Sequence, residues 1–135
     1  MYFIVLSMVQ FLEYVLFPAA VILALDAVYL SVTRTMYEDQ VRRVQKSAMV
    51  LRLGSVVACY ALLIFGLVWF ILLPGRPVLD AFLLGLVVYG VYETTTYSIL
   101  TQWDVRSVAI DTVWGAVLMA STTWITYRVW GMPKR

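Results

Sequence analysis

Histidine is absent from the chain, and cysteine occurs once, as Cys59. Without histidine and with a single thiol, the sequence lacks the ligand sets of the common zinc and haem sites, and it has no disulfide framework. Charged residues are also scarce, at 13% of 135 residues, and the net charge is only +2. The basic residues form no stripe with interleaved aromatics, so we expect no nucleic-acid partner. We also expect no metal site, and the sequence identifies no cofactor.

Apolar residues dominate what is present, at 63% of the chain, and the mean hydropathy is +0.88. This composition lies outside that of soluble globular domains. The chain offers several runs of the length, about 20 residues, that crosses a hydrocarbon core. We therefore expect an integral, multi-pass membrane protein that forms one transmembrane domain over residues 1–135, with the lipid bilayer as its first partner. The sequence does not identify the membrane.

Four membrane spans are predicted, at about residues 11–33, 48–73, 79–101 and 108–130. Pro18 predicts a kink in the first span, because proline removes a backbone donor. The polar segment 34–47 predicts either a short interfacial helix or a solvated connector. The predicted fold class is all-α: an integral membrane four-helix antiparallel bundle with a short interfacial helix between spans one and two.

The acidic residues Asp26, Glu93 and Asp111 lie inside the predicted spans, and Arg52 lies near the start of the second. At 1.5 Å per residue, all four would lie roughly 6 to 12 Å below the same membrane surface. An aspartate at a helix centre costs about 2.5 to 3.5 kcal/mol on insertion scales, so such groups pair, become protonated or meet water. One arginine can neutralise the charge of only one of these acids. We therefore expect at least one acid to be protonated, hydrated, or bound to a cation or polar ligand.

Helical spacing places further polar and small residues on the faces of these acids. These are Tyr29 and Thr33 in the first span, Gly85, Tyr89, Tyr92 and Thr96 in the third, and Gly115, Leu118 and Thr122 in the fourth. The predicted polar layer, or ion or ligand site, consists of Asp26, Arg52, Tyr89, Tyr92, Glu93, Thr96 and Asp111. Two interpretations stay open: the layer knits the bundle together, or it binds an ion, a proton or a ligand.

An ordered set of motifs resembles a known family. These are LDAVYL at 25–30, DAFLLG at 80–85, GLVVYGVYETTTYS at 85–98, Trp103, and IDTVWGAVL at 110–118. Together they resemble the domain-of-unknown-function 2177 family of short four-span membrane proteins, over about residues 20–126. Members occur in bacteria and in large DNA viruses, and the segments YGVYETT and DAFLLG resemble the viral branch.

The resemblance implies a fold and not an activity, because the family has no established activity that can be carried over to this chain. The residues that match family motifs are Asp26, Tyr92, Glu93, Thr95, Trp103, Asp111, Trp114 and Gly115, and the resemblance assigns a packing role to Tyr29, Trp103, Trp114 and Gly115. The bacterial pattern has aspartate at Glu93, asparagine at Thr96 and tryptophan at Tyr29. The change at Thr96 removes an amide that could satisfy a buried partner.

Three functions are compatible with the sequence. The favoured one is a structural or interaction component of a membrane assembly, such as an organelle complex or the internal membrane of a virion, with other membrane subunits or further copies of itself as partners. The alternative is a proton or cation conduit or carrier that uses the acidic layer. The third, a membrane enzyme or lipid-handling protein, lacks a histidine, a nucleophile motif and a phosphate loop, so we predict no catalytic residues.

Overall fold

The computed structural model describes residues 6–134, which form four long helices. They are α1 (Met8–Gln45), α2 (Leu53–Leu72), α3 (Val78–Ile99) and α4 (Val105–Trp130), and each is long and apolar enough to cross a membrane. Consecutive helices run antiparallel. We call the end where α1 ends and α4 begins the polar end, and the end where α2 ends and α3 begins the proline end. The all-α fold and its four membrane-spanning helices are thus confirmed.

Helix α1 continues without interruption through the segment that was predicted to be a separate short helix. Hydropathy falls at Arg34, but residues 34–45 contain no glycine or proline that would end a helix. Arg34 instead pairs with Glu38 one turn later, at 2.7 Å. The helix ends at Lys46, whose φ of 61° is left-handed. We call residues 34–45 the α1 extension.

Two π-helical segments interrupt the regular helices near the proline end. Leu12–Leu16 lies in α1 and Val68–Leu72 in α2, and each segment ends two residues before a proline, Pro18 or Pro74. Proline lacks an N–H, and its ring crowds the carbonyl four residues earlier. The N–H after each segment donates to the carbonyl five residues earlier instead. A π-helical turn thus precedes Pro18, where the sequence predicts a kink.

At the proline end, tyrosine hydroxyl groups form hydrogen bonds between the helices. The Tyr14 hydroxyl on α1 donates to the carbonyl of Gly131, just beyond α4, at 2.9 Å. The Tyr127 hydroxyl on α4 donates to the carbonyl of Arg76, in the α2–α3 turn, at 2.8 Å. The apolar core begins beside these contacts and comprises Tyr14, Ile22, Leu67, Val68, Ile71, Leu72, Ala81, Leu118 and Met119.

Helices α3 and α4 approach each other through two glycines. A Cβ atom on Gly85 would lie 2.2 Å from the carbonyl oxygen of Gly115. A Cβ atom on Gly115 would lie 2.1 Å from the ring of Tyr89. Neither position has room for a side chain, so the backbones meet directly. The small residues predicted on these two faces form this contact.

We expect Gly85→Ala to destabilise the bundle, because the new methyl group meets backbone atoms that cannot rotate away. Overpacking of this kind costs roughly 1 to 3 kcal/mol. Gly66→Ala is the matched control: no atom lies within 4 Å of the added Cβ, so a gain of about 0.5 to 1 kcal/mol from helix propensity is expected. The free energy of unfolding in mixed micelles, measured by titration with dodecyl sulfate, compares them. Equal stability of the two variants would contradict the glycine contact.

Candidate functional site

The carboxyl group of Asp26 joins three helices. Asp26 lies on α1 and is buried, with 7% of its surface exposed. One of its oxygens accepts a hydrogen bond from the indole N–H of Trp114 on α4, at 2.8 Å. The other accepts a hydrogen bond from the hydroxyl of Tyr60 on α2. Both oxygens are therefore held by neutral donors on neighbouring helices.

Glu93 and Asp111 bring two more carboxyl groups together between α3 and α4. Glu93 is almost completely buried, and its Oε2 accepts a hydrogen bond from the indole N–H of Trp103, at 2.8 Å. The Asp111 carboxyl group lies beside it, on α4. Two carboxyl groups can hydrogen-bond each other only when a proton lies between them. The structure thus brings two acids of the predicted layer together, and no basic side chain among residues 6–134 is paired with either of them.

A chain of hydroxyl groups leads from this pair towards the polar end. The Tyr29 hydroxyl donates to Oδ1 of Asp111 at 3.1 Å, and it lies 2.7 Å from the Tyr37 hydroxyl. Tyr29 has one hydroxyl proton, so Tyr37 is the donor in the second bond. The Tyr29 ring also stacks on Trp114, with centroids 4.5 Å apart and an angle of 8° between the planes. This stack joins the Asp26 and Asp111 parts of the site, which we call together the carboxyl network.

Arg52 is not part of the carboxyl network, contrary to the sequence-based expectation. It is exposed at the start of α2, and none of the ion pairs among residues 6–134 involves it. The predicted depth assumed a helix from residue 48 onwards, but α2 begins at Leu53. Because the preceding residues are not helical, Arg52 is not carried into the membrane core. The carboxyl groups are satisfied by tyrosine and tryptophan instead.

Two further predicted residues, Tyr92 and Thr96, make no hydrogen bond to the carboxyl groups within residues 6–134. Tyr92 is 59% exposed, and the Thr96 hydroxyl donates back to the carbonyl of Tyr92 at 2.7 Å. Successive helical residues are rotated by about 100° from each other, so Tyr92 and Glu93 cannot share the α4-facing side. The structure places Glu93 on that side. Tyr89 also faces α4, where it packs over Gly115.

Sequence reasoning missed three residues that the structure brings to the site: Tyr37, Gln40 and Tyr60. Gln40 is completely buried, and its Oε1 accepts hydrogen bonds from the Ser107 hydroxyl at 2.8 Å and from the Asp104 N–H at 3.1 Å. Tyr37 and Gln40 continue the helical spacing of Asp26 and Tyr29 into the α1 extension. The spacing that points to Tyr37 and Gln40 was therefore present in the sequence, but the first span was predicted to end at residue 33.

Comparison with protein families gives one match. A family described as "Predicted membrane protein (DUF2177)" matches residues 11–128. No curated protein and no solved structure matches the chain. The matched range covers all of α2 and α3, most of α1 and α4, and every carboxyl group of the network.

We expect Glu93→Gln to fold with a free energy of unfolding within about 1 kcal/mol of the parent. The amide oxygen can accept from Trp103, and the amide N–H can donate to Asp111. Glu93→Leu is the contrast, because it leaves the indole N–H without an acceptor, at a cost of about 1 to 3 kcal/mol. The same titration with dodecyl sulfate measures both. If glutamine costs as much as leucine, the negative charge of Glu93 matters more than its hydrogen bonds.

Proposed function

Because the chain belongs to the family of predicted membrane proteins (DUF2177), whose description assigns no activity, we propose a function from its geometry. The protein is a structural component of a membrane assembly. The carboxyl network holds the four helices in one arrangement, and α2 is the surface that meets a second copy. The resemblance to viral sequences favours the internal membrane of a virion, and an organelle complex is the other setting.

The observation that carries this proposal is how the Asp26 carboxyl group is used. Both of its oxygens accept hydrogen bonds, one from α2 and one from α4. Each oxygen thus has a protein donor, and removal of either donor would leave that oxygen unsatisfied in a nonpolar environment. This arrangement is typical of a group that fixes helix positions.

The outer face of α2 is available for contact with another helix. Its small residues Gly54, Ala58 and Ala61 are exposed, and no atom lies within 4 Å of a Cβ atom built on Gly54. Small residues at this spacing let two helix backbones approach in a membrane. The large residues Val57 and Leu62 on this helix are also about 70% exposed. A second copy that packed here would cover both kinds of residue.

Cys59, the only cysteine in the sequence, lies on a different side of α2 from this face, so the test moves the thiol. In the variant Cys59→Ala with Ala61→Cys, the thiol lies on the face of Gly54 and Ala58, and copper phenanthroline should oxidise this variant in vesicles to a disulfide-linked dimer. The matched control is Cys59→Ala with Val87→Cys, which moves the thiol to an exposed position on α3. This control should cross-link at least tenfold less, and adding Gly54→Leu with Ala58→Leu should suppress the dimer formed through Ala61→Cys. Equal cross-linking at both positions would indicate random collision and contradict the proposed interface.

A second candidate function, proton binding and transfer, is favoured by a different observation. Asp111, Tyr29 and Tyr37 form a hydrogen-bonded series that runs towards the polar end, and Glu93 lies beside Asp111 at the inner end of this series. Chains of this kind carry protons in pumps and transporters. No basic side chain is paired with these carboxyl groups within residues 6–134. The series reaches one membrane face, so transport would need an assembly that opens the site to the other face.

Proton flux into proteoliposomes tests the second candidate. Glu93→Gln, Asp111→Asn and Tyr37→Phe should each reduce the flux at least tenfold, because they remove a proton site or break the series. Tyr92→Phe is the control, since this tyrosine adjoins Glu93 in sequence but faces away. Absence of flux from folded parent protein would refute proton transport and leave the structural function standing. Flux that is lost equally in Tyr92→Phe would refute the proposed route.

A further inference from the structure

A groove with charged walls lies at the polar end, outside the carboxyl network. It has a volume of about 700 Å³. One wall is the last turns of α1, and the other is the α3–α4 loop with the first turn of α4. Its lining residues are Met36, Asp39, Arg42, Arg43, Lys46, Asp104 and Arg106.

The groove carries an excess of positive charge. Four basic side chains face two acidic ones, which leaves a formal charge of +2. Among residues 6–134 the ion pairs are Arg34–Glu38 and Arg76–Asp80, so no basic group of the groove is paired. One acid, Asp104, already accepts a hydrogen bond from the backbone N–H of Arg106 at 2.9 Å. The groove therefore attracts anions.

A buried glutamine fixes the two walls relative to each other. Gln40 lies on α1 between residues of the first wall, and it accepts hydrogen bonds from Asp104 and Ser107 on the second. None of its surface is exposed. The helix segments that carry these basic groups, some sixty residues apart in sequence, are thus held on opposite sides of one groove.

The groove lies just beyond the apolar part of the bundle, where lipid headgroups are expected. Asp104 precedes the first turn of α4, seven residues before Asp111, which places it about 10 Å beyond the carboxyl network along the helix. The basic residues of α1 lie in its last turn, beyond the apolar part of the helix. Basic pockets at this level between membrane helices bind the headgroups of anionic lipids.

We propose that this groove binds the phosphate-bearing headgroup of an anionic phospholipid. Arg42 and Arg43 contact the headgroup from α1, and Arg106 contacts it from α4. The guanidinium groups donate charge-assisted hydrogen bonds to the phosphate oxygens. The acyl chains then run along the membrane-facing surface of the bundle.

Native mass spectrometry of the full chain in detergent tests the proposal, with phosphatidylglycerol and phosphatidylcholine as competing probes. The parent should retain phosphatidylglycerol preferentially. Arg42→Gln with Arg106→Gln removes one charge from each wall and should lower that preference by roughly 30-fold. Arg43→Gln with Lys46→Gln is an independent pair that should act in the same direction. Thermal unfolding confirms that each variant is folded.

The matched control is Arg34→Gln with Arg52→Gln, which removes the same charge from exposed positions at the polar end outside the groove. It should keep the preference of the parent within about twofold. An equal loss in this control would show diffuse surface attraction and overturn the groove as a site. A folded parent with no preference would overturn it as well. Displacement of the lipid by millimolar inorganic phosphate would indicate a free-anion site and overturn the lipid assignment.

Discussion

The direct approach of α3 and α4 at Gly85 and Gly115 sets the register on which the carboxyl network depends. Glu93 lies eight residues from Gly85, about 12 Å towards the polar end, and Asp111 lies four residues from Gly115, about 6 Å in the same direction. Helical side chains lean towards the amino terminus of their own helix. In an antiparallel pair, Glu93 and Asp111 therefore lean towards each other and meet. Any side chain at the glycines would separate the carboxyl groups as well as the helices.

Neutral donors, rather than a basic side chain, satisfy the buried acids. An arginine would add a second charge that must itself leave water, and a buried ion pair is stabilising only when its geometry is excellent. Phenol and indole groups bring apolar rings that pack against lipid and neighbouring helices, while their single polar atom serves the carboxyl group. Trp103 and Trp114 show this division of roles, since each donates one N–H to an acid. The network can therefore lie among helices without a compensating cation from the protein.

Hydropathy and spacing predict the four helices, their antiparallel order and the carboxylates that approach α4, because these depend on length and periodicity alone. The end of α1 could not be predicted in this way. The charged residues after Thr33 mark the end of the apolar span, but the helix itself continues until a stop signal, the left-handed Lys46. The depth predicted for Arg52 does not apply, for a related reason. It was counted at the rise of a helix, and the chain before Leu53 is not helical. The donor from α2, Tyr60, depends on how α1 and α2 pack, which no local pattern in the sequence encodes.

The α1 extension makes the first helix longer than a membrane crossing requires. The 38 residues of α1 measure about 57 Å, which exceeds even the thickness of a bilayer with its headgroups. Gln40 joins the extension to the start of α4. The polar surface at this end is therefore built by the packing of two helices against each other and not by a loose connector.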